Sequence, residues 1–93
     1  MHATALTSDR YIAIRFNDDS LSLDGIVRIL TKDGLIYPAR WNAANRRLES
    51  CARNSAPVTL PMYSKSGKIE AKLAALGINF AWLTLEQAQD LAS

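Results

Sequence analysis

The chain has 93 residues, 48% of them hydrophobic, with eleven Lys/Arg against nine Asp/Glu and a formal net charge of +2. That is one domain with one modest core, and neither a disordered nor a fibrous composition. A single cysteine, Cys51, allows no internal disulfide, and the longest apolar stretch, Leu73 to Leu85, falls short of the ~20 residues a membrane span needs.

Met1 to Asp9 is small and polar and is expected to be a flexible N-terminus without the pattern of a signal peptide. With the one cysteine, this points to a cytoplasmic, reducing setting and no contact with membrane. Arg10 to Phe16 alternates, with Ile12, Ile14 and Phe16 on one side, which predicts a half-buried strand. Asn17 to Ser20 is a turn cluster, Leu21 and Leu23 predict a short second strand, and Asp24-Gly25 breaks it.

Ile26 to Lys32 and Leu35 to Trp41 flank Asp33-Gly34, a strong hairpin signal because a type I′ turn needs positive φ at both central residues. A two-residue loop would pair Leu30 with Tyr37 and Ile26 with Trp41. One face would then carry Ile26, Leu30, Leu35, Tyr37 and Trp41, and the other Val27, Ile29 and Ile36. Two apolar faces predict a hairpin that is central or covered on both sides, or a subunit contact in a homo-oligomer. Pro38 lacks an N–H, which predicts an edge strand or one that points that bond outward.

Residues 42–53 fit two readings. Trp41, Ala44, Leu48 and Cys51 make a helical stripe, whereas Asn42 and Asn45 flank a plausible turn with Arg46 to Ala52 returning as a strand. The return strand is preferred. After a loop at 54–57, Val58 to Met62 predicts a short strand. Ser66 reads as an N-cap for a helix from Gly67 to Leu76, with Ile69, Leu73 and Leu76 inward and Gly77 closing it. Ile78 to Leu83 predicts a last strand or buried connector. Thr84-Leu85-Glu86-Gln87 is a capping box opening a helix from Leu85 to Ala92. The expected fold is α+β: an antiparallel meander of four to six short strands followed by one or two C-terminal helices.

Charge is uneven along the chain. Residues 37–72 hold seven Lys/Arg against two acids, whereas residues 1–36 hold four bases and five acids, and residues 73–93 hold only Glu86 and Asp90. Arg40, Arg46, Arg47, Arg53, Lys65 and Lys68, with Tyr63 as the expected exposed aromatic, form the candidate partner-binding set. Phosphates call for cations and unstacked bases call for flat rings. The plain alternative is a solvated basic face partly neutralised by Glu49, and Tyr37, Trp41, Phe80 and Trp82 read as core aromatics.

Ser64-Lys65-Ser66-Gly67-Lys68 is not a nucleotide-hydrolysing phosphate loop, because Met62 and Ile69 stand where that motif needs Gly and Ser/Thr. It could seat one backbone phosphate at a helix N-terminus, or simply be a capped polar loop. His2 is the only histidine, so no Ser–His or Cys–His pair can form, and one His with one Cys does not make a metal site. Cys51 reads as a small buried residue. The expectation is a non-enzymatic binding module without cofactor or metal, contacting nucleic-acid backbone with little sequence specificity. The competing expectation is a protein-binding accessory or inhibitor that docks an acidic surface.

Overall fold

In a computed structural model, the structure describes residues 9–93. The expectations for residues 1–8 lie outside them, while Asp9 opens the first strand. The elements are β1 (Asp9–Ile14), β2 (Val27–Leu30), β3 (Ile36–Asn42), β4 (Arg47–Ser50), β5 (Tyr63–Ser64), α1 (Gly67–Ala75), β6 (Phe80–Leu83) and α2 (Leu85–Leu91). The fold is α+β, as the patterning predicts. All strand pairings are antiparallel, in the order β4-β3-β2-β1, with β5 and β6 both pairing β1. No helix among the described residues is long and apolar enough to cross a membrane.

β1 is the centre. Tyr11, Ile12, Ala13 and Ile14 are all buried, so the expected half-buried strand is buried on both faces. Alternation sends Tyr11 and Ala13 into one cluster with Val27, Ile29, Ala39, Leu48 and Leu83, closed over by Ala88 of α2 and by Ala92 just past its end. Ile12 and Ile14 enter a second cluster with Leu73 of α1, flanked by Leu30, Tyr63, Ile69 and Trp82. The period-2 pattern missed this because the odd face holds a tyrosine and an alanine, and each face is covered by its own helix.

The chain from Val58 to Ser64 ties the two ends of the strand path together. Leu60 donates its N–H to the Leu48 carbonyl at 3.0 Å, and Thr59 bridges Glu49 on the outer edge of β4. Arg10 and Asp9 then face Tyr63 and Ser64. The path of pairings thereby closes on itself, and Val58 to Met62 contributes a single bridge rather than the strand expected there. Beyond that bridge, the Tyr11 hydroxyl accepts the Leu48 N–H at 3.0 Å, filling the next vacancy on the edge of β4 from inside the core.

Both Asp-Gly pairs make turns, of different kinds. At Asp24-Gly25 both φ values are positive (54° and 76°), and Leu23 and Ile26 exchange two backbone hydrogen bonds of 2.9 Å. This is the two-residue type I′ geometry, and apart from that bridge Leu21 and Leu23 form no strand. At 33–34 only Gly34 has positive φ, 81°. Gly34 donates to the Thr31 carbonyl at 3.0 Å and Thr31 to the Leu35 carbonyl at 2.8 Å, which is a three-residue loop with its glycine in the left-handed region. The extra loop residue pairs Leu30 with Ile36, Ile29 with Tyr37 and Val27 with Ala39, one residue off the expected register. A one-residue slip exchanges the faces, so Val27, Ile29, Tyr37, Ala39 and Trp41 point inward together.

Pro38 is not on an edge strand. β3 lies between β2 and β4, and the Pro38 carbonyl accepts the Cys51 N–H at 2.9 Å just past the end of β4, where a return bond is not needed. The ambiguity at 42–53 resolves as the turn and return strand. Cys51 lies past the end of β4 and is exposed rather than buried. The Trp41 N–H, past the end of β2, is taken by the Ala92 carbonyl at 3.1 Å, which fastens α2 to the sheet.

Both helices start as their caps predict. The Ser66 side chain accepts from the Lys68 N–H, and Gly77 follows the Leu76 C-cap with φ 72°. Thr84 and Gln87 exchange hydrogen bonds of 2.9 and 3.0 Å in a complete capping box. Leu76 is not inward as expected but 64% exposed, because α1 ends one residue before it.

Tyr11→Phe is expected to lower stability by about 1–3 kcal/mol, since it strands the Leu48 N–H in the core. Denaturant unfolding checks this. Burial lifts the Tyr11 hydroxyl above the usual tyrosine range, countered in part by the Leu48 amide and the Arg47 charge. The folded state therefore prefers the neutral phenol. Its contribution is complete below the unfolded value of about 10 and declines as pH rises through the folded value.

Gly34→Val is expected to cost about 1–2 kcal/mol and lower the melting temperature. A β-carbon there would meet nothing within 4 Å, so the whole penalty comes from the backbone. An unchanged melt would contradict the three-residue loop.

Candidate cationic hairpin

The β3–β4 hairpin is built by short-range hydrogen bonds. The Asn42 side-chain oxygen accepts the Asn45 N–H at 3.0 Å, and the Asn42 carbonyl accepts the Arg46 N–H at 2.8 Å, closing a four-residue tip over 43–46. Every residue of that tip is exposed, and Arg47 next to it is exposed as well. Arg47 Nη1 donates to the Arg46 carbonyl at 2.9 Å, so the two guanidinium-bearing residues are held side by side. Glu49, the acid between them and Arg53, is engaged by Asn45 Nδ2 at 3.1 Å.

Arg46 has φ 55°, in the left-handed region. The other non-glycine residues with positive φ are Asp19, Asp24 and Asn54, whose short polar side chains tolerate that region. Arginine has no such compensation, and its placement costs on the order of 1 kcal/mol relative to residues suited to the turn.

The remaining sequence-predicted residues fall on other elements. Arg40 is exposed on β3, opposite Glu49, with its guanidinium beside the Asp24-Gly25 turn. Arg53 is exposed in the turn after β4. Lys65 and Lys68 are exposed around the start of α1, where the Ser66 hydroxyl already caps the Lys68 amide at 3.2 Å. Tyr63, expected to be exposed, is half-buried in the second core cluster and donates its hydroxyl to the Leu30 carbonyl at 3.1 Å. Burial raises its hydroxyl pKa, with the Asp33 charge adding to the effect. The set that is continuous in sequence is thus divided between the hairpin (Arg40, Arg46, Arg47), the turn beyond it (Arg53) and the head of α1 (Lys65, Lys68).

Arg15 and Asp19 form an ion pair at 3.9 Å, outside the basic segment. Among the described residues none of the seven bases in residues 37–72 has a carboxylate at ion-pairing distance, and all seven are exposed. Tyr37 and Trp41 are half-buried against the first cluster, while Phe80 and Trp82 pack edge to face at 6.2 Å against the second. These four are core aromatics, as their spacing predicts, so the cationic tip carries no stacking platform of its own.

Sequence reasoning missed a cleft of about 280 Å³ between α1 and the β2–β3 turn, where Lys32 and Lys72 join an apolar floor. Its walls come from β1, the β2–β3 turn, Tyr63 and α1, and no local sequence signal links them. Compared with protein-family models, curated protein sequences and solved structures, the chain matches none.

Proposed function

We propose that the chain is a small non-enzymatic binding module whose β3–β4 hairpin contacts nucleic-acid backbone with little sequence preference. The observation that carries this reading is Arg46: an arginine held at positive φ on an exposed tip, where asparagine or glycine would sit with less strain. Strain kept at a surface position favours a role for the side chain itself. Arg47 beside it and Arg40 and Arg53 nearby in sequence add cations with no carboxylate at ion-pairing distance among the described residues. Phosphates accept forked hydrogen bonds from guanidinium groups, and such contacts position a chain on a polyanion without reading bases. The half-buried aromatics leave the contact to the phosphates, since stacking on bases would need free rings.

The second reading, docking of the same cations on an acidic protein surface, makes a different pattern of variants. Backbone contacts act as a graded set: Arg40→Ala, Arg46→Ala, Arg47→Ala and Arg53→Ala should each lower the slope of log affinity against log salt by about 0.7–0.9. A protein interface concentrates its energy in one or two residues. Fluorescence anisotropy with a labelled mixed-sequence oligonucleotide, single- and double-stranded, at several salt concentrations checks this. Little salt dependence, or one dominant residue, would sink the nucleic-acid reading.

Arg46→Asn separates charge from fold. It is expected to stabilise the domain by up to about 1 kcal/mol by relieving the left-handed backbone, which is a rise of roughly 4–8 °C in melting temperature. The same variant should bind the oligonucleotide more weakly. A gain in stability with unchanged binding would leave Arg46 without a role in the contact.

A further inference from the structure

We propose that the cleft between α1 and the β2–β3 turn is a separate docking site for a segment of a partner protein, one that inserts a bulky apolar side chain and lays a carboxylate against Lys32 and Lys72. The floor is apolar: Ile12, Leu30, Leu73 and Ile78 line it, with Ile69 on the wall. Its volume, about 280 Å³, lies just under the roughly 300–1,000 Å³ of pockets that enclose whole drug-sized ligands. It suits one or two side chains better than a free molecule.

The surroundings extend the apolar surface beyond the cleft. Leu76 on its lip is 64% exposed. Ile36, the cross-strand partner of Leu30, is 42% exposed. A small ligand confined to the cleft would leave these two side chains in water. A peptide segment crossing the cleft would cover them, and exposed apolar side chains inside a polar rim are what such an interface buries.

Charge selects the partner. Lys32 and Lys72 line the cleft, and neither has a carboxylate at ion-pairing distance among the described residues. Asp33 is the acid that lines it, and its charge is felt by the Tyr63 hydroxyl. The lining is therefore net positive by one. Tyr63 already donates to the Leu30 carbonyl, so it serves as a wall rather than as a hydrogen-bond donor to the occupant. The complementary segment carries a bulky apolar residue with an acid close by.

The site stands on different residues from the cationic hairpin, so each can fail without the other. The test is a selection of random displayed peptides on the immobilised protein, counter-selected on Lys72→Glu and on Leu76→Glu. Both positions are exposed, and melting curves confirm that the variants fold. Enriched peptides are expected to share a bulky apolar residue near Asp or Glu. They should shift the backbone amide resonances of residues 31–34 and 69–78, and lose affinity about tenfold in Lys72→Glu but not in Arg46→Glu. The proposal is overturned if nothing is enriched over the counter-selection, or if the enriched peptides perturb the hairpin tip instead. Octanoate is the control for a small amphiphile: shifts of the cleft amides by octanoate, with no peptide binding there, would also overturn it.

Discussion

A strand with no solvent face organises this molecule. Tyr11 to Ile14 are buried on both sides, and β1 is hydrogen-bonded to β2, β5 and β6. A peptide group withdrawn from water must find a partner, so β1 can be buried this thoroughly only because other strands supply its bonds. In return it divides the core in two. The odd residues join α2 to the inside of the curled sheet, and the even residues join α1 to the opposite face. Tyr11 completes the arrangement by reaching across to Leu48 on β4, so one residue of β1 fills a packing site and satisfies a distant amide.

Features legible in the sequence were those decided locally. The Thr84–Gln87 box and the Ser66 cap involve groups three residues apart or fewer, and they form as their side-chain chemistry dictates. The α+β class follows from the order of periodic segments. The hairpin register was less legible. Two Asp-Gly pairs offer the same dipeptide, yet only Asp24-Gly25 takes both positive φ values. At the second, the Thr31 hydroxyl accepts the Leu35 N–H at 3.2 Å and competes with the direct ladder bond, which accompanies the longer loop. One extra loop residue then moves Val27, Ile29 and Tyr37 to the inner side. The burial of both faces of β1 was illegible for a different reason: Tyr11 and Ala13 look like a solvated edge until α2 is placed over them.

The candidate sites divide along the same line. A basic middle segment is a fact of composition, and residues 46 and 47 stay together because they are neighbours in the chain. Lys65 and Lys68 are near Arg53 in sequence but belong to the module around α1. The left-handed backbone at Arg46 could not be read from its residue type, since arginine is an unfavourable occupant of that region. The cleft was hidden more completely. Ile12, Leu30 and Leu73 approach one another only after β1 has paired and α1 has docked, so no window of sequence contains it.

The position of β1 in the chain has a consequence for how the domain is made. It is an early segment, yet two of its three partner strands, β5 and β6, are late ones. Contacts between distant segments require closing long loops before they return any stabilisation, which slows folding. During synthesis at about 5–20 residues per second, β1 leaves the ribosome seconds before β6 exists to cover it. For that interval the most deeply buried strand of the folded molecule has a free edge, with β2 as its first partner to arrive. The hairpin β2–β3, assembled from neighbours in sequence, thus offers β1 its first pairing edge, through β2, before the C-terminal third arrives.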